Sequence, residues 1–205
     1  MKTLELFSGT CSFSKVAKER GHETFTVDIE PKFKPDLCKD ILEVQTSDLP
    51  KDIGIMWCSP PCTTFSVASL RHYWTDGKPK NAKTWHGISI VLKTLRLIEE
   101  IKPKYWFIEN PRGMLRKQWF MQDWFKDTIT YCQYGDFRQK PTDIWHNMFK
   151  WIPRPPCKPG ALCHQSAKRG SQRGTQYIKA CKNRSKIPPD LFKEIFDFIE
   201  NGKKH

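Results

Sequence analysis

No stretch of the 205-residue chain stays apolar for the roughly 18 residues a membrane-spanning helix needs, so no membrane partner is expected. The N-terminus, Met1 to Thr10, lacks the basic, apolar and small-residue layout of an export signal. Without export, the eight cysteines read as reduced thiols, some of them chemical, rather than as a disulfide framework. Internal repeats are absent. Acidic residues are missing from one region altogether: between Lys150 and Lys186 stand ten basic side chains and no acid.

What is present has globular proportions, 38% hydrophobic and 28% charged, with 15 prolines spread along the chain, which excludes a disordered or collagen-like protein. At about 150 residues per domain the length suits one domain with a small appendage. Lys and Arg number 35 against 22 Asp and Glu, a formal +13, which points to a polyanionic partner, most commonly nucleic acid. Residues 138 to 205 carry 15 of the basic and 5 of the acidic groups, so +10 of the +13 is regional.

Through the first 150 residues, short apolar runs alternate with helix-length segments. Strands are expected at Thr3 to Phe7, Thr24 to Ile29, Ile53 to Cys58, Tyr105 to Ile108, Thr128 to Tyr134 and Asp143 to Phe149. Helices are expected from the Ser8–Ser12 turn to about Gly21, over Ile88 to Ile101, and from Pro188 or Pro189 onward. The alternation implies an α/β fold with a mostly parallel sheet and helices on both faces, whose ligands bind beyond the carboxyl ends of the strands. Residues 150 to 186 read as a loop-rich insert with Trp151, Leu162, Tyr177 and Ile178 as anchors.

Several polar residues follow these strands and should meet at one edge. The Phe7-Ser-Gly-Thr-Cys-Ser turn lets backbone approach a ligand, although it is neither a full dinucleotide fingerprint nor a phosphate loop. Asp28 ends the second strand, where a carboxylate can bind a ribose diol. In Cys58-Ser-Pro-Pro-Cys62, two prolines stiffen the loop that aims the Cys62 sulfur, the arrangement a nucleophilic thiol needs, whereas Cys58 and Cys38 read as buried structural cysteines. Glu109, following an aromatic strand, is set for desolvation that helps a carboxyl share a proton near neutrality.

The order of Leu4-Glu-Leu-Phe-Ser-Gly, Val27-Asp-Ile-Glu, Asp40-Ile41, Ser59-Pro-Pro-Cys-x-x-Phe-Ser, Ile108-Glu-Asn-Pro and Gln133-Tyr-Gly-Asp-Phe-Arg-Gln resembles the DNA cytosine-5 methyltransferases. The resemblance runs from residue 3 to about 145 and resumes at Arg184-Ser-Lys-Ile-Pro-Pro-Asp-Leu. Short phage-borne and prokaryotic members have the same compact look, which implies a cytoplasmic protein of a prokaryotic cell or a phage-infected host.

The resemblance implies a Rossmann-like class I methyltransferase that uses S-adenosylmethionine. The implied cofactor residues are Phe7, Ser8, Gly9, Thr10, Cys11, Asp28, Ile29, Asp40, Ile41 and Pro60, with Asp28 or Glu30 on the ribose hydroxyls. Cys62 would attack C6 of a flipped cytosine while Glu109 protonates N3. Asn110 and Pro111 would hold Glu109 and the Cys62 loop in register, and Arg138 and Lys140 would serve the base pocket and phosphates. The lysine-bearing stretch from Arg71 to Lys83 looks like the family's mobile catalytic loop. Ser66, Lys78, Lys80, Lys83, Arg154, Arg169 and Arg173 are expected on the nucleic acid.

This sequence departs from the family pattern in three places. Cys11-Ser12 stand where two glycines are usual, and Arg138, Lys140 and Thr142 align with a Gln-x-Arg-x-Arg element. Only about 40 residues, Trp145 to Arg184, fill the position of a target-recognition domain. Residues 1–149 are therefore expected as catalytic core, 150–186 as a basic insert and 187–205 as a helix packing back on the core. DNA binding should be mainly electrostatic with short or relaxed sequence preference. The partner is expected to be double-stranded DNA, with RNA as the alternative and catalytic inactivity as another. The chain should act as a monomer, with a specificity partner left open. No metal is expected; zinc on Cys157, Cys163, His164 and Cys181 is the alternative, since C-x5-C-H is not a standard finger spacing.

Overall fold

The computed structural model describes residues 1–165 and 185–202. The chain builds β1 (Lys2–Leu6), α1 (Ser12–Glu19), β2 (Glu23–Asp28), β3 (Leu37–Cys38) and β4 (Ile53–Cys58). It continues through a short helix α2 (Leu70–Tyr73), a ribbon of β5 (Trp74–Thr75) and β6 (Lys78–Pro79), and the long helix α3 (Ala82–Ile101). β7 (Tyr105–Pro111), β8 (Lys126–Thr130), β9 (Pro141–His146) and α4 (Pro189–Asn201) complete it.

Seven strands form one sheet in the order β3-β2-β1-β4-β7-β9-β8. β1 pairs parallel with β2 and β4, β2 with β3, and β4 with β7, while β9 runs antiparallel between β7 and β8. The strand order reverses direction at β1, so the ends of β1 and β4 flank the switch point where ligands of such sheets bind.

Period-2 alternation splits the interior into two cores. On β4, Met56 and Cys58 join Leu4, Leu6 and Ile108 beneath α3, which contributes Ile88, Val91, Leu95 and Ile98. Ile55 and Trp57 face the other way, with Phe107 and Ile144, against Phe13, Val16 and Ala17 of α1 and Leu191, Phe192 and Phe196 of α4. Phe13 stacks between Trp57 and Phe196 at 5.9 and 5.4 Å. Arg20 ties α1 to α4 through Asp197 and Glu200.

Four local expectations are corrected. α3 begins six residues before Ile88, because the Asn81 side chain accepts the Thr84 N–H at 3.1 Å and caps a first turn whose Lys83, Trp85 and His86 face solvent. The strand expected over Thr128 to Tyr134 stops at Thr130: Tyr131–Tyr134 coil into a 3-10 turn ended by Gly135 at φ 83°. β9 lies earlier than Asp143 to Phe149, starting at Pro141, a residue tolerated at a strand's beginning. Of the insert's anchors, Trp151 is buried against His146 and Phe107, but Leu162 is fully exposed. Tyr177 and Ile178 lie outside the described residues.

Candidate active site

The turn after β1 carries three left-handed residues in five, Phe7 at φ 60°, Gly9 at φ 46° and Cys11 at φ 55°. Asp28, at the end of β2, holds this shape: Oδ2 accepts the Gly9 N–H at 2.7 Å and Oδ1 the Glu30 N–H at 2.9 Å. Ser8 donates its N–H to Val27 O at 3.1 Å. Among the described residues, a carbon added at Gly9 would meet nothing nearer than Phe7 O at 3.9 Å, so they leave open space over the turn. That room, with a carboxylate-braced backbone, suits the S-adenosylmethionine that the sequence resemblance implies.

Glu5, which sequence reading passed over, sits under this turn. Its carboxyl accepts the Phe13 and Ser14 N–H groups of α1 at 3.3 and 2.9 Å, and burial pushes its pKa up to about 7. A carboxylate inside an otherwise apolar strand was the available signal. Burial, followed by the neighbouring Glu5, raises the Cys11 thiol above its ordinary value.

At the next strand ends, Ile29 is exposed and Ile41 is buried. Asp40 Oδ1 accepts the Leu42 N–H at 3.0 Å, and Glu30 pairs with Lys32 at 2.6 Å. Cys58 is fully buried, which drives its thiol well above the usual range. Cys38 corrects the expectation of burial: β3 is two residues long and leaves it exposed, with its thiol toward Ile29 O at 3.6 Å.

The loop carrying Cys62 is fixed from several sides. Ser59 N–H donates to Leu6 O at 3.3 Å, and Trp57 Nε1 to Ser59 Oγ at 2.8 Å. Asn110, wholly buried at the end of β7, donates Nδ2–H to Pro60 O at 3.1 Å. Trp74 Nε1 donates to Thr64 O at 2.6 Å, and Met114 N–H to Phe65 O at 2.7 Å. Gly113 bridges to Ser66, and a side-chain carbon at Gly113 would lie 2.2 Å from Phe65 O, so this approach requires glycine. Cys62 itself is half-buried; the N–H groups of Phe65 and Ser66 close a turn on its carbonyl at 3.0 and 2.9 Å.

Glu109, adjacent to Asn110, is buried and receives the Tyr131 hydroxyl on Oε1 at 2.8 Å. Lys140 Nζ lies 3.8 Å from the same oxygen, donates to Tyr131 Oη at 3.3 Å and sits 4.4 Å from the Tyr131 ring centroid. Tyr131 is thus a site residue that sequence reading missed, because the 3-10 turn that delivers it was read as strand. Arg138 is nearly buried and braced: Nε donates to Asp136 Oδ1 at 2.8 Å, and Nη2 to Lys186 O at 3.0 Å.

Lys78, Lys80 and Lys83 are exposed around the β5–β6 ribbon, and Lys80 Nζ reaches Arg71 O at 3.3 Å. Arg154 binds Glu194 at 2.8 Å and Gln133 O at 2.7 Å, so its charge is matched within the protein. Arg169, Arg173 and Cys181 lie outside the described residues. Cys157, Cys163 and His164 do come together, and Cys132 joins them.

The switch-point sheet with this edge is the Rossmann-like methyltransferase fold. A solved methyltransferase of Entamoeba histolytica, EhMeth, superposes with a TM-score of 0.52 at 16% identity, covering 77% of this chain and 57% of that one. The family model described as C-5 cytosine-specific DNA methylase matches residues 1–129. The chain belongs to that family, the enzymes that methylate cytosine at C5 in DNA. It is 26% identical to a frog virus 3 protein named "Probable DNA (cytosine-5)-methyltransferase", over 96% of this chain and 99% of that one. It is 30% identical to the type II methyltransferase M.FnuDI of Fusobacterium nucleatum, over 58% of this chain and 34% of the relative. Among the described residues, no helix is long and apolar enough to cross a membrane.

Proposed function

We propose that the protein transfers a methyl group from S-adenosylmethionine to C5 of cytosine in double-stranded DNA through a covalent adduct on Cys62. When bound over the Phe7–Cys11 turn, the cofactor supplies an electrophilic methyl on its sulfonium. The Cys62 sulfur adds to C6 of an extruded cytosine, forming the S–C6 bond, while Glu109 gives a proton to N3. The electron pair then available at C5 would take the methyl, the sulfonium S–CH3 bond breaking and its electron pair staying on sulfur as a neutral thioether. A base removes the C5 proton, the S–C6 bond breaks, and the ring regains its double bond as N3 returns its proton to Glu109.

The observation that carries this reading is the joint fixing of the two reacting groups by one dipeptide. Asn110 anchors the Cys62 loop at Pro60 O, and its neighbour Glu109 is aimed by Tyr131 and Lys140. Asp28 and Asp40 complete the cofactor edge, with Ile29 and Ile41 beside them. Lys78, Lys80, Lys83 and Ser66, in the stretch of chain that follows Cys62, are the contacts to the DNA backbone, with Arg169 and Arg173 of the basic insert as further contacts. A segment of this size carries few groups for reading base edges, so sequence preference is short or relaxed.

The test is incubation with labelled cofactor and either duplex DNA or transfer RNA. Label at cytosine C5 in the duplex is expected, and transfer confined to RNA overturns the substrate assignment. Cys62→Ser is expected to abolish transfer while leaving cofactor binding intact; an undiminished rate refutes the adduct. Methylation mapping that returned a strict six-base-pair site would refute relaxed specificity.

A further inference from the structure

Away from the transfer site, four soft or borderline donors converge. Cys132 follows β8 in the 3-10 turn, Cys157 stands in the proline-rich segment after β9, and Cys163 and His164 follow a turn at Lys158–Ala161. Their three Sγ atoms and one imidazole nitrogen all lie within 4.8 Å of one another. We infer that Cys132, Cys157, Cys163 and His164 bind one zinc ion in a closed tetrahedral site that staples the basic insert to the catalytic core.

The edge lengths carry the assignment. Zinc at ~2.3 Å from sulfur and ~2.0 Å from nitrogen sets tetrahedral S···S edges near ~3.8 Å and S···N edges near ~3.5 Å. Cys163 Sγ lies 3.7 Å from Cys132 Sγ, and His164 Nδ1 lies 3.5 Å from Cys157 Sγ and 3.6 Å from Cys163 Sγ. Cys132 and Cys157 are closer, at 3.1 Å, an edge that widens as an ion enters. Four protein donors fill the tetrahedron and leave no position for a reacting water, which makes the site structural.

The surroundings suit ligation. Gln133 Nε2 donates to Cys163 Sγ at 3.6 Å. Cys157 is held through its backbone, its N–H donating to Thr130 Oγ1 at 3.0 Å and its carbonyl accepting from Gln139 Nε2 at 3.2 Å. Such outer contacts orient ligands before metal arrives. Pro159 and Gly160, the latter at φ 83°, make the tight turn that returns Cys163 to Cys157. The other three donors stand 25, 31 and 32 positions from Cys132, so no local finger spacing announces the set. Cys132 is the next residue after Tyr131, so the staple and the residue that hydrogen-bonds Glu109 share one 3-10 turn.

The full chain, purified without chelator from zinc-supplemented medium, is analysed for metal by mass spectrometry. One zinc per chain is expected, retained in Cys38→Ser and lost in Cys132→Ser and in Cys157→Ser. Because a ligand variant can misfold, the wild-type protein is also stripped and titrated with cobalt(II). A thiolate-to-cobalt charge-transfer band with tetrahedral d–d absorption supports the site. Absence of both zinc and a cobalt band overturns the inference, as does zinc retained when Cys132 and Cys157 are both serine. A Cys132–Cys157 disulfide in peptide mapping of the freshly purified protein overturns it equally.

Discussion

Tyr131 donates its hydroxyl to Glu109 Oε1 at 2.8 Å, inside a site where both side chains are buried. In the proposed reaction Glu109 meets the N3 edge of a cytosine, and this bond fixes the rotation of its carboxyl. Tyr131→Phe removes the bond without changing ring volume. A hydrogen bond of this kind contributes roughly 1–2 kcal/mol, so kcat should fall about 5- to 30-fold while cofactor Kd stays unchanged. Single-turnover methylation with a parallel cofactor titration reads the two effects separately. Equal kcat for variant and wild type would remove Tyr131 from the positioning of Glu109.

Gly113 lets the chain after β7 lie against the Cys62 loop. A methyl there would sit 2.2 Å from the Phe65 carbonyl, a backbone atom that cannot swing away. Gly113→Ala should therefore displace the loop, costing about 1–3 kcal/mol of stability and a larger share of turnover. Thermal unfolding and initial rates on one duplex substrate test this. Full activity at an unchanged Tm would mean that the loop relaxes freely.

Asp143 is wholly buried on β9 and is held by Arg116 Nε at 2.8 Å and by Thr128 Oγ1 at 2.8 Å. Removing only the cation strands a buried carboxylate, which typically costs ~3–5 kcal/mol. Arg116→Met should lose stability on that order, and a paired Arg116→Met, Asp143→Leu variant should recover part of it. Urea denaturation of the three proteins measures the coupling. A double variant no more stable than Arg116→Met would show that the pair is not the unit.

The sheet was legible because each inner strand is a short apolar run bounded by Gly, Pro or Asn, and because such strands can hardly occur without helices between them. Tyr131 to Tyr134 defeated the same logic. Their apolar faces are buried by packing rather than by pairing, and burial alone does not distinguish a 3-10 turn from a strand. Cys62 and Glu109 were visible through local chemistry, two prolines before a thiol and a carboxyl after an aromatic run, and Asn110 through the family resemblance. Partners that arrive through space were not: Tyr131 reaches Glu109 from 22 positions away and Cys132 meets Cys157 from 25. Arg154 shows the converse, since a count of basic residues cannot reveal that its Nε is paired with Glu194.

Lys78 and Lys83 stand exposed on the ribbon and at the start of α3, beside the segment that leads from Cys62. Each phosphate contact releases condensed counterions, giving about 0.9 in the slope of log K against log salt. Lys78→Ala with Lys83→Ala should flatten that slope by about 1.8 on duplex DNA, uniformly across sequences. Fluorescence anisotropy at several salt concentrations provides the slopes. Parallel lines for variant and wild type would place both lysines off the phosphates.

Glu5 links the turn after β1 to pH. Its pKa rises from 4.5 to about 7 because burial penalises the charged carboxylate more than the α1 N–H groups reward it. Since the folded value lies above the unfolded one, the protonated group favours folding. That contribution is complete below about pH 4.5 and is lost as pH rises to about 7. The shift corresponds to roughly 3 kcal/mol at most. Glu5→Gln keeps a carbonyl acceptor for Ser14 N–H and has no charge to bury, so stability should depend less steeply on pH between 5 and 7. Relative to wild type, the variant should gain more at pH 8 than at pH 5. Other titrating groups cancel in that difference, and urea denaturation at both pH values supplies it. An equal difference at the two pH values would mean that the α1 amides hold Glu5 ionised throughout, and that burial is the weaker of the two forces.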